Sequence, residues 1–241
     1  MAQNGCWLVF GDVHDDIARL DEIPELADAV GAIVSGDITF AGGSARALRV
    51  LEPVAARVPR LLAQIGNMDK AEVTGVLDGR GWNLHARARE LFPGIVALGV
   101  GGSTPTPFNT PSEFSEEDMR GFLERGLAEA RVLSAQSGEI GASLVLVSHT
   151  PPRGTACDRL GNGASAGSSA VRAFIEERRP ALCLCGHIHE ARARDRIGNT
   201  LIINPGTLSD GGYVVLRRED GPAGPRPVAE LKILRPMKGL F

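Results

Sequence analysis

The residues WLVFGDVH, from Trp7 to His14, join an apolar run to two side chains that can bind a cation. Four consecutive apolar residues are typical of a buried strand, and Asp12 and His14 follow it almost directly. Residues i and i+2 of an extended segment leave the backbone on the same side, so these two donors point in one direction. Taken alone, the stretch is more typical of a turn or a helix cap.

The same arrangement recurs four times along the chain. Acidic, amide or imidazole side chains come just after an apolar run in Gly36-Asp37, Gly66-Asn67-Met68-Asp69, Ser148-His149-Thr150 and Gly186-His187-Ile188-His189. With the first stretch, these segments contain four of the five histidines. Nitrogen and oxygen donors of this kind suit borderline or hard divalent metals. The set therefore favours a two-metal hydrolytic site.

Each segment also has a purely structural explanation. Gly36-Asp37 fits an ordinary turn, and Gly66-Asn67-Met68-Asp69 fits a turn with a left-handed Asn67 and an Asp69 that caps the next helix. His149 fits a hydrogen-bonded histidine at a strand end. The pair His187 and His189 is the strongest element, because two histidines at this spacing after a strand rarely have a packing role. All of these explanations would have to hold at once to exclude a metal site.

Strand and helix patterns alternate along the first two-thirds of the chain. Strands are predicted at residues 7–10, 32–34, 61–65, 82–88, 94–100, 144–147 and 181–185, and helices at 16–30, 44–56, 115–133 and 168–178. This alternation predicts an α/β fold with a parallel sheet and helical cover. Short strands at 191–196, 200–203, 213–216 and 228–234 predict an antiparallel second part, with residues 221–227 as a hairpin loop. The candidate ligands follow the carboxyl ends of strands, where open α/β sheets bind ligands.

Length and composition are compatible with this interpretation. The 241 residues can bury one sizeable core, and they predict a single domain over 1–241. A net charge of −3 gives no argument for binding to nucleic acid or to a membrane surface. No apolar stretch approaches the ~20 residues of a membrane span. The first residues lack the basic region of a signal peptide, so we expect a cytoplasmic protein.

Three other features carry less weight. Cys6, Cys183 and Cys185 lie in apolar runs and are expected to be buried free thiols, whereas Cys157 lies in a polar loop. His85 is assigned to structure, since it lies away from the other candidate ligands. Arg153, just after two prolines, is a candidate phosphate contact and equally fits a solvated loop residue.

The ordered set D-x-H, G-D, G-N-x-D, S-H and G-H-x-H resembles the calcineurin-type metallophosphoesterase superfamily, over Gly11 to Gly206. The resemblance implies a four-layer αββα sandwich with two mixed β-sheets. It also implies two divalent cations, with Asp37 shared between them. One would be held by Asp12, His14, Asp37 and His189, and the other by Asp37, Asn67, His149 and His187. Manganese is the expected metal, with iron, zinc and nickel as alternatives.

The chemistry that follows from the resemblance is phosphoester hydrolysis. A hydroxide that bridges two cations about 3.5–4 Å apart attacks phosphorus in line with the leaving oxygen. Asp37 and Asn67 are the catalytic candidates, and Asn67 and Arg153 are the candidates for substrate binding. The expected partner is a small phosphoester; nucleic acid and membrane are not expected, and self-association is left open.

One position departs from the family pattern. Met68 stands where the family usually has a histidine that protonates the leaving group, and a thioether has no proton to give. A phosphodiester with an acidic leaving group needs such help least, so we predict a phosphodiesterase rather than a monoesterase. The alternative is a metal-binding scaffold that keeps the fold with little catalysis. A DNA nuclease ranks last, because the chain is short and acidic for that role.

Overall fold

The computed structural model describes residues 5–134, 140–222 and 224–235. Two mixed sheets face each other, as the family resemblance implies. The strands are β1 Cys6–Phe10, β2 Ala29–Val34, β3 Leu61–Ala63, β4 Ala88–Phe92, β5 Ile95–Val100, β6 Leu144–Ser148, β7 Leu182–Leu184, β8 Ala193–Ile197, β9 Thr200–Asn204, β10 Gly212–Gly221 and β11 Gly224–Ile233. The first sheet has the order β11-β10-β1-β2-β3, and the second has the order β4-β5-β6-β7-β9-β8.

In the described ranges, four α-helices cover the outer faces of the sheets. They are α1 Ser44–Ala55, α2 Glu72–Gly79, α3 Glu116–Leu133 and α4 Ser169–Arg178. Helices α1 and α2 share a core with the first sheet, and α3 and α4 share one with the second. A third core lies between the sheets and contains residues of both. The architecture is therefore the αββα sandwich that the family resemblance implies.

Strand β1 explains how the layers arise from the sequence. All five of its residues are buried, because the strand is covered on both faces. Trp7 and Val9 face the core between the sheets, and Leu8 and Phe10 face the core beneath α1. The strand is parallel to β2 and antiparallel to β10, so it lies in the middle of the first sheet. A short apolar run thereby contributes to two hydrophobic cores.

Capping signals in the sequence agree with two of the helix starts. Ser115 accepts a hydrogen bond from the backbone of Asp118, whose carboxylate accepts one in return, and α3 begins directly afterwards. Ser168 likewise accepts from Val171 at the start of α4. None of the helices in the described ranges has the length and hydropathy that a membrane crossing requires.

The helix predicted at 16–30 is wrong. The structure has two short 3₁₀ turns there, Leu20–Glu22 and Pro24–Asp28, and β2 begins at Ala29. Pro24 has no N–H and holds Ile23 in an extended conformation, so one helix cannot run through this segment.

Two other element predictions need correction, and one helix was missed. Residues 82–87 make only isolated bridges, because the Asn83 side chain accepts the hydrogen bond of the backbone N–H of His85. The strand predicted at 82–88 therefore begins only at Ala88. Helix α2 was not predicted, since its two glycines have low helix propensity, yet Val73 and Leu77 pack into the core. The hairpin at 221–227 is shorter than predicted. Strands β10 and β11 pair as far as Gly221 and Gly224, and an edge strand tolerates the prolines of β11.

All four cysteines are buried and free, as the sequence predicts for three of them. Cys157 is buried as well, with its thiol 3.5 Å from the carbonyl oxygen of Ala193, and it shares the core beneath α3 and α4 with Cys183 and Cys185.

Candidate metal centre

The candidate ligands lie in the loops that follow five parallel strands. Asp12 follows β1, Asp37 follows β2 and Asn67 follows β3, all in the first sheet. His149 follows β6 and His187 follows β7, in the second sheet. The Asp12 carboxylate joins the two sets, because it accepts a hydrogen bond of 3.0 Å from the backbone N–H of His187. The carboxyl ends of both sheets therefore meet at one site.

The backbone of these loops is held in a conformation that ordinary residues avoid. Four of the seven candidate ligands have a positive φ: Asp12 at 48°, His14 at 46°, Asp37 at 48° and His187 at 67°. Each such non-glycine residue costs roughly 1–3 kcal/mol, and clusters of them mark functional sites. The strain is concentrated at the positions that the sequence motifs identify.

Two glycines of the motifs are required for close approach. A β-carbon on Gly66 would collide with the carboxylate and the backbone nitrogen of Asp37, and one on Gly186 would collide with the Asp12 carboxylate. The glycine in the G-N-x-D and G-H-x-H motifs therefore lets the neighbouring carboxylate reach the centre.

We call the first group of donors the open half; it contains Asp12, His14, Asp37 and His189. Each of these residues offers one ligand atom, and the four atoms lie within 4.8 Å of one another. The Nε2 atoms of His14 and His189 are 3.2 Å apart, and His189 Nε2 is 3.3 Å from Asp12 Oδ1. Among the described residues, this is the only such cluster of three or more imidazole, thiol or carboxylate donors.

We call the second group the buried half; it contains Asp37, Asn67, His149 and His187. His149 Nε2 lies 3.1 Å from the amide oxygen of Asn67 and 3.4 Å from Asp37 Oδ1. The His187 ring lies beside that of His149, with 5.3 Å between the ring centroids. On the other side of its ring, His149 Nδ1 is 3.2 Å from the carbonyl oxygen of Ser35. This carbonyl orients the imidazole so that Nε2 faces the centre.

Asp37 lies between the two halves. Its Oδ2 is 3.7 Å from His14 Nε2 and its Oδ1 is 3.4 Å from His149 Nε2. Oδ1 also accepts a hydrogen bond of 2.8 Å from the backbone N–H of Met68. Burial opposes ionisation of this carboxyl, but His149 and His14 together lower its pKa. Asp37 is thus an anion with one oxygen turned toward each half.

The histidines differ in their electrostatic surroundings. Burial lowers the pKa of His149, but the Asp37 carboxylate outweighs burial and raises it to about 9. Burial, with the charge of His149, lowers the pKa of His187 to about 4. The hydrogen bond to Asp12 raises the pKa of His189. Carboxylates thus stabilise positive charge on the imidazoles of His149 and His189. A bound cation would replace this positive charge.

The donor set fits divalent cations. Two imidazole nitrogens, one from each of His14 and His189, face each other beside two carboxylates, and the Nδ1 atom of His14 is buried without a hydrogen-bond partner among the described residues. Imidazole and carboxylate are the ligands of manganese, iron, zinc and nickel sites.

The sequence interpretation did not identify several residues that hold the ligand loops in place. Asp69 does not cap the next helix; its carboxylate accepts hydrogen bonds from the backbone N–H groups of Ile38, Thr39 and Gly66, at 3.0, 2.8 and 2.9 Å. It thereby ties the Asp37 loop to the Asn67 loop. Burial, with the charge of Asp37, raises the pKa of Asp69 to about 6.

Two buried amide side chains, Gln64 and Asn204, were also missed. Gln64 donates to the carbonyl oxygens of Ser35, Val100 and Val147 and so joins strand ends of both sheets. Asn204 donates to the carbonyl oxygen of Ile188 at 2.9 Å and holds the loop of the two histidines. An amide residue directly after an apolar run was the available signal in both places.

The remaining predicted residues lie as follows. Arg153 is exposed, and its guanidinium makes no hydrogen bond or ion pair with any residue in the described ranges. Its role as a phosphate contact stays a prediction. His85 accepts a hydrogen bond of 3.0 Å from the backbone N–H of Gly101 and packs against Phe122, as expected of a structural histidine.

Comparisons with known proteins indicate the family of the chain. Residues 139–221 match the family model for metallophosphoesterases of the calcineurin superfamily. The uncharacterized protein MJ1162 of Methanocaldococcus jannaschii is 34% identical over 205 residues, which cover 82% of this chain and 86% of the relative.

Solved structures share the fold. TT1561 of Thermus thermophilus matches with a TM-score of 0.64 at 18% identity, over 96% of this chain and 99% of that chain. A dimetal phosphatase from Danio rerio matches with a TM-score of 0.56 at 12% identity, over 97% and 100%. Fold, donor set and sequence similarity lead to one conclusion: this chain belongs to the calcineurin superfamily of metallophosphoesterases.

Proposed function

We propose that this protein is a two-metal phosphodiesterase. The observation that carries the proposal is the position of Asp37, whose two oxygens lie 3.7 Å from His14 Nε2 and 3.4 Å from His149 Nε2. One carboxylate at the junction of two groups of donors is suited to hold two cations side by side.

The two halves define which residues would hold which ion. Asp12, His14, Asp37 and His189 would bind the ion of the open half. Asp37, Asn67, His149 and His187 would bind the ion of the buried half. Manganese is the first metal to test, with iron, zinc and nickel as alternatives. Two bound cations would supply Lewis acidity, charge compensation for the transition state and an activated water.

Asn67 is positioned to serve both as ligand and as substrate contact. Its amide oxygen faces His149, while one N–H of the amide is directed to Thr110 Oγ1, 3.1 Å away. An amide nitrogen has two hydrogens, so the second can donate to a phosphoryl oxygen. Asp37 acts through its charge and its position rather than as a proton donor, because neighbouring imidazoles lower its pKa. Arg153, which is exposed and without an ion-pair partner in the described ranges, is the candidate for a further phosphate contact.

Met68 limits the substrates to those whose leaving group departs without a proton donor. Its side chain is half-buried, and its backbone N–H holds Asp37, but the thioether has no proton for a departing alkoxide. A weakly basic leaving group departs from a phosphodiester without a proton from a general acid. The preferred substrate is therefore a small phosphodiester whose leaving oxygen is acidic.

Purified protein with manganese, assayed on bis(p-nitrophenyl) phosphate and on p-nitrophenyl phosphate, tests the proposal. We expect metal-dependent turnover that is faster on the diester and that is lost in Asp37→Ala. Asp16→Ala is the matched control, because this nearby carboxylate is exposed and accepts only a local hydrogen bond from Ala18. Turnover without added metal after chelation, or equal turnover by the Asp37 variant, would contradict the proposal.

A further inference from the structure

A phenylalanine is exposed at the edge of the open half. The side chain of Phe40 is 60% exposed, and its ring meets that of His14 edge to face at a centroid distance of 6.0 Å. Water contact with an aromatic ring of this size is unfavourable. The structure thus places an apolar ring directly beside the charged side chains of the centre.

Hydrogen bonds hold the backbone around Phe40. Its N–H donates to Asp15 Oδ2 at 3.0 Å, and Arg46 holds the other oxygen of that carboxylate at 2.6 Å. The preceding residue, Thr39, donates from its backbone N–H to Asp69 at 2.8 Å. These bonds hold the backbone that carries the ring, which lowers the entropy that the loop loses when a ligand packs on Phe40.

A second exposed phenylalanine lies on a loop that contacts the buried half. Phe108 is 83% exposed, and its backbone N–H donates to Thr106 Oγ1 at 3.2 Å. Thr106 and Thr110 both donate to one oxygen of Glu113 at 2.6 Å, which holds the loop on both sides of the ring. Thr110 in turn accepts the hydrogen bond from the amide of Asn67.

The two phenylalanines differ in their location from the other exposed apolar side chains. Of the five large apolar side chains that are strongly exposed in the described ranges, two are these phenylalanines, and each is on a loop bonded to a segment that carries candidate ligands. The other three, Val132, Leu133 and Ile233, lie near the ends of α3 and β11. Aromatic side chains next to a few polar groups are typical of ligand pockets.

We infer that Phe40 and Phe108 bind the two ester groups of the substrate, and that these groups are planar aromatic rings. This inference rests on the proposed function. With the phosphoryl group at Asp37, the ester group on the side of the open half passes His14 and packs on Phe40. The ester group on the other side follows Asn67 and Thr110 toward Phe108. Aromatic pairs prefer offset or edge-to-face contacts, and they add affinity beyond that of buried area.

The test uses two anions of equal charge that the enzyme cannot hydrolyse. Diphenylphosphinate carries two phenyl groups joined to phosphorus by carbon, and dimethylphosphinate carries two methyl groups. Isothermal titration of the manganese-loaded protein is expected to give an affinity for the phenyl compound about tenfold higher. Phe40→Ala and Phe108→Ala should each reduce this ratio, and the double variant should bring it close to one. The affinity for dimethylphosphinate should stay unchanged in all variants.

Two further variants sharpen the result. Phe40→Leu retains an apolar side chain without a ring and should lose part of the preference. Val132→Ala removes an exposed apolar side chain near the end of α3 and should leave the ratio intact. Equal affinities in the wild type, a ratio that survives in the double variant, or no binding of either anion would overturn the inference. Aromatic preference without any turnover would refute the proposed catalysis alone, whereas metal-dependent turnover without aromatic preference would refute this inference alone.

Discussion

The two halves of the candidate metal centre share Asp37 but differ in their contact with solvent. The side chain of His149 in the buried half is fully buried, whereas that of His189 in the open half is 41% exposed. Ser35 and Thr110 orient His149 and Asn67 from behind. In the open half, the Nδ1 atom of His14 has no such partner among the residues that the structure describes.

If the proposed two-metal function holds, this difference predicts that one position of the centre keeps its ion and that the other exchanges it. Partners behind a ligand fix its orientation and raise its affinity for a metal, typically by 10- to 100-fold. We therefore expect the buried half to retain its ion and the open half to exchange it. The open half also borders Phe40, so we expect substrate to enter on the side where the metal is held less tightly.

The largest expected effect comes from removing the residue common to both halves. Asp37→Asn keeps the shape of the side chain but loses the charge, so both ions should weaken and kcat/KM should fall by at least about 10³-fold. Metal stoichiometry by atomic emission, together with kinetics on an aryl diester, checks this. Asp16→Asn is the control. If the variant still binds two ions at wild-type affinity, Asp37 is not shared between the two halves, and the proposed division of the ligands is wrong.

A second prediction separates the halves directly. His149→Ala should weaken manganese binding about 100-fold, and His189→Ala only about tenfold, since only the former removes an imidazole oriented from behind. Calorimetric titration with manganese resolves the two constants. If both variants lose equal affinity, solvent exposure does not distinguish the two positions.

A third prediction concerns the missing general acid beside the buried half. Met68→His should raise turnover of alkyl phosphodiesters by at least about tenfold, because a protonated imidazole can donate to a basic leaving oxygen. Turnover of p-nitrophenyl esters should hardly change, since that leaving group needs no proton. The ratio of the two rates is the measurement. Met68→Gln, which keeps the approximate size without an acid of this kind, is the control.

The smallest expected effect concerns His85, whose hydrogen bond from the backbone N–H of Gly101 contributes to the stability of the fold. Burial lowers the pKa of His85 to about 4, and its Nδ1 must be unprotonated to accept the hydrogen bond from Gly101. Below the unfolded pKa of about 6.5 the unfolded chain takes up a proton first, so this stability is present above that pH and is lost toward pH 4.

The expected loss between pH 7 and pH 4.5 is about 1–3 kcal/mol in the free energy of unfolding. Urea unfolding of chelated wild type and His85→Gln at both pH values measures it, because glutamine can accept the same bond without titrating in this range. An identical pH dependence in the two proteins would assign the loss to the other histidines.

Local patterns in the sequence predicted most of the strands, and three of the four α-helices, in the part of the chain that the structure describes. The apolar runs before Asp12, Asp37 and His149 are strands in the structure, and Ser115 caps α3. The errors have two causes: the local backbone constraint of a proline outweighed an apolar pattern, and long-range packing outweighed a low helix propensity. Pro24 divided the expected helix at 16–30, and α2 forms in spite of its glycines because Val73 and Leu77 pack into the core.

Amino-acid order was sufficient to identify the candidate ligands and the family, because motif spacing and apolar runs are properties of neighbouring residues. Tertiary structure alone decided that one group of donors is open to solvent at His189 and that the other is buried around His149. It also decided that Asp69 braces two loops and that the loops of Phe40 and Phe108 are each bonded to a segment of the centre. The reason is physical: each of these features depends on contacts between segments tens of residues apart, such as the bond from Asn67 to Thr110. Burial, which contributes to the pKa of each buried imidazole, likewise exists only once the two sheets have packed together.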